Sequence, residues 1–152
     1  MDERIVTQRL VLEPIAPELA RAVVAGETAG LRHAADWPHA DTVDALRMVA
    51  ERRAATWLVV ADGEIVGEAG IHRLPDEEGQ VEIGFGLAQS ARGRGFGSEL
   101  VPALAEHLLA QPGVRRVLAA AAVDNVPSRR VLERTGFRLV AEDAGLVRYV
   151  LD

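Results

Sequence analysis

One stretch constrains what this chain can fold into more than any other, the segment from Val81 to Leu100. Val81, Ile83, Phe85 and Leu87 alternate with smaller or polar residues, the period-2 pattern of a strand. Leu100, Val101, Leu104 and Leu108 then recur at helical spacing through Ala110. Between these runs lie Gly93, Gly95 and Gly97, interleaved with Arg92 and Arg94. A strand that passes through a glycine-rich turn into a helix start is an anion site by construction. Glycine lets the backbone approach a ligand, and the first N–H groups of a helix have no partner within it. Arg92 and Arg94 add charge that a diphosphate can use.

The common nucleotide signatures do not fit. A G-x-G-x-x-G pattern begun at Gly93 and Gly95 would need its third glycine where Ser98 stands, and no acidic ribose partner follows at the usual distance. A Walker loop needs a Lys, and the chain has none. What remains, Arg92-Gly93-Arg94-Gly95-Phe96-Gly97, fits (Gln/Arg)-x-x-Gly-x-(Gly/Ala) and resembles the loop of the GCN5-related N-acetyltransferases (GNAT), which holds the pyrophosphate of acetyl-coenzyme A. A glycine-rich turn with solvated arginines, or an RNA-binding Arg-Gly segment, is the alternative on the hexamer alone. A second stretch, Asn125-x-x-Ser128-x-x-x-x-Glu133-x-x-Gly136-Phe137, resembles the later motif of the same family. Thr7 to Leu12 and Trp37-Pro38 are most similar to its branch of ribosomal-protein N-terminal acetyltransferases.

The rest of the chain is consistent with that resemblance. Arg9 to Ile15 alternates as a first strand ended by Pro14, and Pro17 to Gly26 reads as a short helix. Leu31 to Ala40 is the least periodic part. Asp41-Thr42 reads as the cap of a second helix that extends to about Arg53. Thr56 to Ala61 and Glu64 to Arg73 form a hairpin across Asp62-Gly63, followed by an acidic loop from Leu74 to Gly79. After the glycine-turn helix, Val114 to Val123 has the composition of a strand covered on both faces. Asp124 to Pro127 opens a helix that Gly136 ends, and two strands close the chain. The order β–α–α–β–β–β–α–β–α–β–β predicts one α+β (mixed α/β) domain over residues 1–152. The resemblance implies the GNAT fold: a mixed, mostly antiparallel sheet of six to seven strands flanked by about four helices.

Composition narrows the function. With 49% hydrophobic residues the chain can bury a core without staples, and no apolar run approaches the ~18 residues that span a bilayer. Zero Cys removes disulfides, thiolate metal sites and an acetyl-cysteine intermediate. The net charge of −6 argues against general nucleic-acid binding and suits an amine substrate. No apolar signal core follows the charged residues at 1–4, so the expected location is the cytoplasm, as a monomer or homodimer.

Acetyl transfer needs a held cofactor, a polarised carbonyl, a deprotonated amine and a proton for the departing thiolate. The resemblance implies that backbone at Phe85, Gly86 and Leu87 pairs with the pantetheine arm. It also implies that this strand splays from 114–123, and that Arg92, Gly93, Arg94, Gly95, Phe96 and Gly97 hold the diphosphate. Glu82 matches the position of the catalytic Glu in the family's histone-modifying branch and is the candidate base. Glu68 and His72 on the preceding strand are substitutes. Many members carry a Tyr seven residues after the later motif's Asn; here that residue is Leu132, and the only Tyr is Tyr149. Ser128 is then the candidate proton donor and sulfur contact, or a local cap near Pro127. Asn125 contacts the pantetheine amide or serves as a turn residue. The resemblance places His33, Asp36, Trp37 and His39 where the family's acceptor-binding loop lies, with Trp37 a substrate contact or a lid over the core. Their spacing is not diagnostic of a metal, and none is expected. The expectation is direct acetyl transfer from acetyl-CoA to a primary amine; an acyl-CoA-binding module without turnover is the rival.

Overall fold

The computed structural model describes residues 3–51, 54–73 and 75–152. The helix end expected near Arg53 and the loop start at Leu74 lie outside these residues. Along the chain the elements are β1 (Ile5–Val6), β2 (Leu10–Pro14), α1 (Pro17–Val24), α2 (Ala40–Ala50), β3 (Ala55–Ala61), β4 (Glu64–Arg73) and β5 (Gln80–Leu87). A short 3₁₀ turn (Gln89–Ala91) follows, then α3 (Phe96–Leu109), β6 (Arg116–Ala122), α4 (Val126–Arg134), β7 (Arg138–Asp143) and β8 (Leu146–Leu151). The strands form one sheet ordered β1-β2-β3-β4-β5-β6-β8-β7, antiparallel throughout except where β5 pairs parallel to β6. The expected mixed α+β architecture is present. The sheet has eight strands rather than six or seven, because Ile5–Val6 folds back on Val11 and Leu12 as an extra edge.

Local chemistry explains most boundaries. Asp62 and Gly63 both take positive φ (51° and 75°), the two-residue turn that matches strand twist, so β3 and β4 form the expected hairpin. The second helix starts earlier than expected. His39, not Asp41-Thr42, is its N-cap: the ring accepts from Thr42 N–H while the Thr42 hydroxyl accepts from His39 N–H, a reciprocal pair that satisfies two orphan donors. Gly95 caps α3 with φ 79°, a left-handed conformation that glycine adopts without cost.

The sheet carries a core on each face. Leu10, Leu12, Trp57, Val59, Leu100 and Leu104 belong to the larger one, under α3 and α4. Ile15, Val23, Trp37, Leu46, Leu58 and Ile65 form a smaller one under α1 and α2. Leu104 is fully buried, so Leu104→Ala should cost ~2–5 kcal/mol, read as a lower denaturant midpoint at unchanged slope. Among the described residues no helix is long and apolar enough to cross a membrane.

Candidate active site

The site is organised by an interruption in the sheet. β5 and β6 pair from Gln80–Arg116 to Ile83–Ala119, and there their pairing ends. β5 continues to Leu87 on β4, while β6 continues to Ala122 on β8. The two strands therefore splay into a fork whose inner edges, Gly84–Leu87 and 120–122, face each other without a ladder. Such edges carry backbone donors and acceptors and are templates for an added extended chain. β6 was expected to be covered on both faces. Instead it alternates: Val117, Ala119 and Ala121 are buried with the core, the positions between them are more exposed, and the run from Ala119 to Ala122 lines the fork wall.

Two cavities meet at the fork, sharing Asp41, Phe85, Gly86, Asn125 and Ser128 in their walls. The larger, about 610 Å³, lies between the glycine loop and α4. Gly93 and Gly95 turn this loop with φ 75° and 79°, and α3 begins with its first N–H groups uncapped by any side chain. Arg9 fixes the loop from outside: its guanidinium donates to Arg94 O (2.7 Å) and to Glu99 Oε1 (2.9 Å). Glu99 also accepts from the Thr7 hydroxyl and from Arg9 N–H. Burial works to raise the Glu99 carboxyl, yet these bonds outweigh it and hold the group below the usual carboxylate range.

The arginines are distributed differently from expectation. Arg92 stands in the cavity wall and donates to Leu87 O (3.2 Å). The Arg94 guanidinium instead lies 4.6 Å from the Phe96 ring centre, with Arg9 on the same ring at 4.8 Å, and Arg94 is absent from the wall. Phe96 is buried beneath them. In place of Arg94, α4 contributes Arg130 and Arg134, which share a helix face at i, i+4. Sequence reasoning missed both, although that spacing beside Ser128 was visible. Gly97 lets α3 approach α4: a Cβ there would stand 3.2 Å from Val131.

The smaller cavity, about 340 Å³, is lined by β4, β5, β6 and α2, with Asn125, Ser128 and Leu132 at its α4 end. Glu68, His72 and Glu82 line it, with Asp41 at its rim. The glycines of β5 make room for side chains of β4. A Cβ at Gly84 would meet the His72 ring, and one at Gly86 would lie 2.9 Å from Glu68 Oε1 and 3.4 Å from the His39 ring. Glu68 is 5% exposed, and burial pushes its carboxyl above the ordinary range against the pull of Trp37, Thr42 and His39. Glu82 is half-buried in the closed part of the fork, opposite Leu118.

The remaining candidates fall into place as follows. Asn125 caps α4, its Oδ1 accepting from Ser128 N–H (3.3 Å), and both residues line the junction of the cavities. Leu132 is buried in the wall of the smaller cavity. Tyr149 does not substitute for the missing Tyr: its hydroxyl donates to Glu133 Oε1 (3.0 Å) and accepts from Arg129 Nε (3.3 Å), tying β8 to α4. Trp37 is not a ring presented to a substrate. It is 2% exposed, and its indole N–H donates to Glu68 Oε2 (3.0 Å), so it bears on the cavity through Glu68. His33, Asp36 and His39 turn to separate partners: Ala34 O, the N–H and hydroxyl of Ser90, and Thr42 N–H. The Ser90 bonds hold Asp36 below the usual carboxylate range.

Comparison with known proteins agrees with this geometry. Residues 9–138 match the family model described as an acetyltransferase (GNAT) domain. The chain is 33% identical over 114 residues to the uncharacterized N-acetyltransferase YjdG of Bacillus subtilis (strain 168), an alignment that covers 68% of each. It is 30% identical over 86 residues to the ribosomal-protein-serine acetyltransferase of Escherichia coli (strain K12), covering 57% of this chain and 48% of that protein, about half its length. Among solved structures, a RimL ribosomal L7/L12 alpha-N-protein acetyltransferase in complex with coenzyme A superposes with a TM-score of 0.72 over 98% of this chain and 97% of that one. At 23% identity that likeness speaks for the fold alone.

Proposed function

The chain belongs to the GNAT acetyltransferase family, an acetyltransferase drawing on acetyl-CoA, and from that premise we propose that it acetylates a primary amine directly. The acceptor is a protein N-terminus or a small amine, and residues 1–152 act as one catalytic domain. The observation that carries this reading is the fork. An extended pantetheine arm can add to the free edge of β5 at Phe85, Gly86 and Leu87, with the diphosphate on the Arg92–Gly97 loop and the thioester at the shared wall of the cavities. The acids of the smaller cavity suit an amine that arrives as an ammonium.

The amine nitrogen forms the new C–N bond as the C–S bond breaks. Ser128, beside the fork, gives the thiolate its proton and regains one from water, and the nitrogen's surplus proton leaves to that water through Glu82, so that no net proton is released in this step. Glu82 lies four residues before Gly86 along the strand, about 13 Å at ~3.3 Å per residue, so Glu82 acts across intervening water.

The test is calorimetry with coenzyme A, followed by thiol release from acetyl-CoA over a panel of peptides and small amines. Thiol release with an amine is the expected result; tight binding without release over the whole panel would favour an acyl-CoA-binding module. Glu82→Gln should keep coenzyme affinity and lower kcat roughly tenfold at neutral pH, below the ~10²–10⁴ of a base in direct contact. An unchanged kcat across the pH range would remove Glu82 from this role.

A further inference from the structure

Glu68 is the only buried carboxylate among the described residues, and it stands in the wall of the cavity where the thioester is proposed to sit. It is the cross-strand partner of Gly86, beyond the last β5–β6 pair, whereas Glu82 lies below that point. Burying a carboxylate is costly unless donors surround it. Here Trp37 Nε1–H reaches Oε2 at 3.0 Å, the Thr42 hydroxyl adds a bond, and His39 Nε2 stands 3.6 Å from Oε1. His39 Nδ1 is committed to Thr42 N–H at the helix cap, which fixes the tautomer with the proton on Nε2. Among the described residues that buried Nε2 has no hydrogen-bond partner. A buried carboxyl with a donor held just beyond bonding distance is a poor device for stability. It is a suitable one for receiving a ligand at Oε1.

We infer that Glu68 meets the acceptor nitrogen directly, binding its ammonium beside Gly86 and taking its first proton, with Trp37 and His39 as positioning residues. This rests on the acetyl-transfer reading and selects primary amines that are cationic at neutral pH. One proton passes from the ammonium to Glu68 Oε1, and the freed lone pair forms the C–N bond. As the C–S bond breaks, Ser128 gives the sulfur its proton and regains one from the nitrogen's second proton through water, while the proton held by Glu68 passes to solvent by way of Glu82. Burial raises the Glu68 carboxyl, the Trp37 and Thr42 bonds and His39 lower it, and Asp41 raises it; His72 and Glu82 are the other titratable groups on this cavity.

Glu68→Gln keeps shape and an acceptor for Trp37. Coenzyme A affinity should stay within about twofold, while kcat/KM for the amine falls roughly 100-fold and the acid limb of its pH profile disappears. Trp37→Phe keeps the carboxylate but removes a donor to its charged form, so the limb should move to higher pH. Wild-type kcat/KM and an unaltered limb in Glu68→Gln would overturn the assignment and leave acetyl transfer standing. If that variant does not fold, an unmoved limb in Trp37→Phe overturns it. A wild-type protein that acetylates no amine overturns both readings.

Discussion

Reversing two charges on α4, Arg130→Glu with Arg134→Glu, weakens coenzyme A binding roughly 100-fold or more, whereas Arg94→Gln changes it less than about threefold. The contrast follows from where the guanidinium groups lie. Arg130 and Arg134 are one helical turn apart and line the 610 Å³ cavity opposite the α3 N-terminus. A diphosphate seated on that N-terminus lies between fixed dipoles and these cations. At about 8 Å in water each unit pair is worth ~0.5 kcal/mol, and the double reversal changes four units of charge facing at least two on the ligand. After screening, on the order of 2–3 kcal/mol survives, about two decades in Kd. Arg94 spends its guanidinium on Phe96 and its carbonyl on Arg9, outside the cavity wall. Calorimetry at low and high salt reads the difference. The gap between the double variant and wild type should narrow as salt rises; a double variant that binds like wild type would move the coenzyme out of this groove.

That contrast also marks how far a single sequence can be read. The glycine turn was legible because its chemistry is local: positive φ at Gly93 and Gly95, and a strand and a helix on either side. The β3–β4 hairpin was legible for the same reason at Asp62-Gly63. Side-chain direction was not, since Arg94 and Arg130 differ only in what the folded chain puts beside them. The His39 cap was missed because histidine is an uncommon cap and Asp41-Thr42 an ordinary one. Gly86 was expected to pair through its backbone with the pantetheine arm, and Gly84 lies two residues before it on the same strand. Their immediate tenants are His72 and Glu68 from the neighbouring strand, a relation that strand register creates and periodicity cannot reveal. Glu68 was a substitute candidate for this reason: alternation assigns a residue to a face of the sheet without saying that a cavity lies there. The two-residue β1 was too short to carry any period.

Ala120→Leu abolishes turnover, by about 100-fold or more, without unfolding the protein. β6 carries an unbroken run of alanines from Ala119 to Ala122, and composition alone reads that run as tight packing on both faces. The alternation of burial says otherwise: Ala119 and Ala121 are buried with the core, Ala120 and Ala122 are more exposed, and all four line the cavity at the open fork. A leucine at position 120 would project into space rather than into packed neighbours, so it avoids the ~1–3 kcal/mol typical of overpacking. Its branched end would occupy the path that the pantetheine arm needs between β6 and the free edge of Phe85–Leu87, and the arm has no second route because Ile83 and Ala119 close the fork below. Ala121→Leu is the control with the opposite outcome, since it forces volume into the core and should lower the melting temperature by several degrees. Thermal melts with coenzyme calorimetry separate the two. An Ala120→Leu protein that melts like wild type and still binds coenzyme A normally would mean that the fork is not the channel.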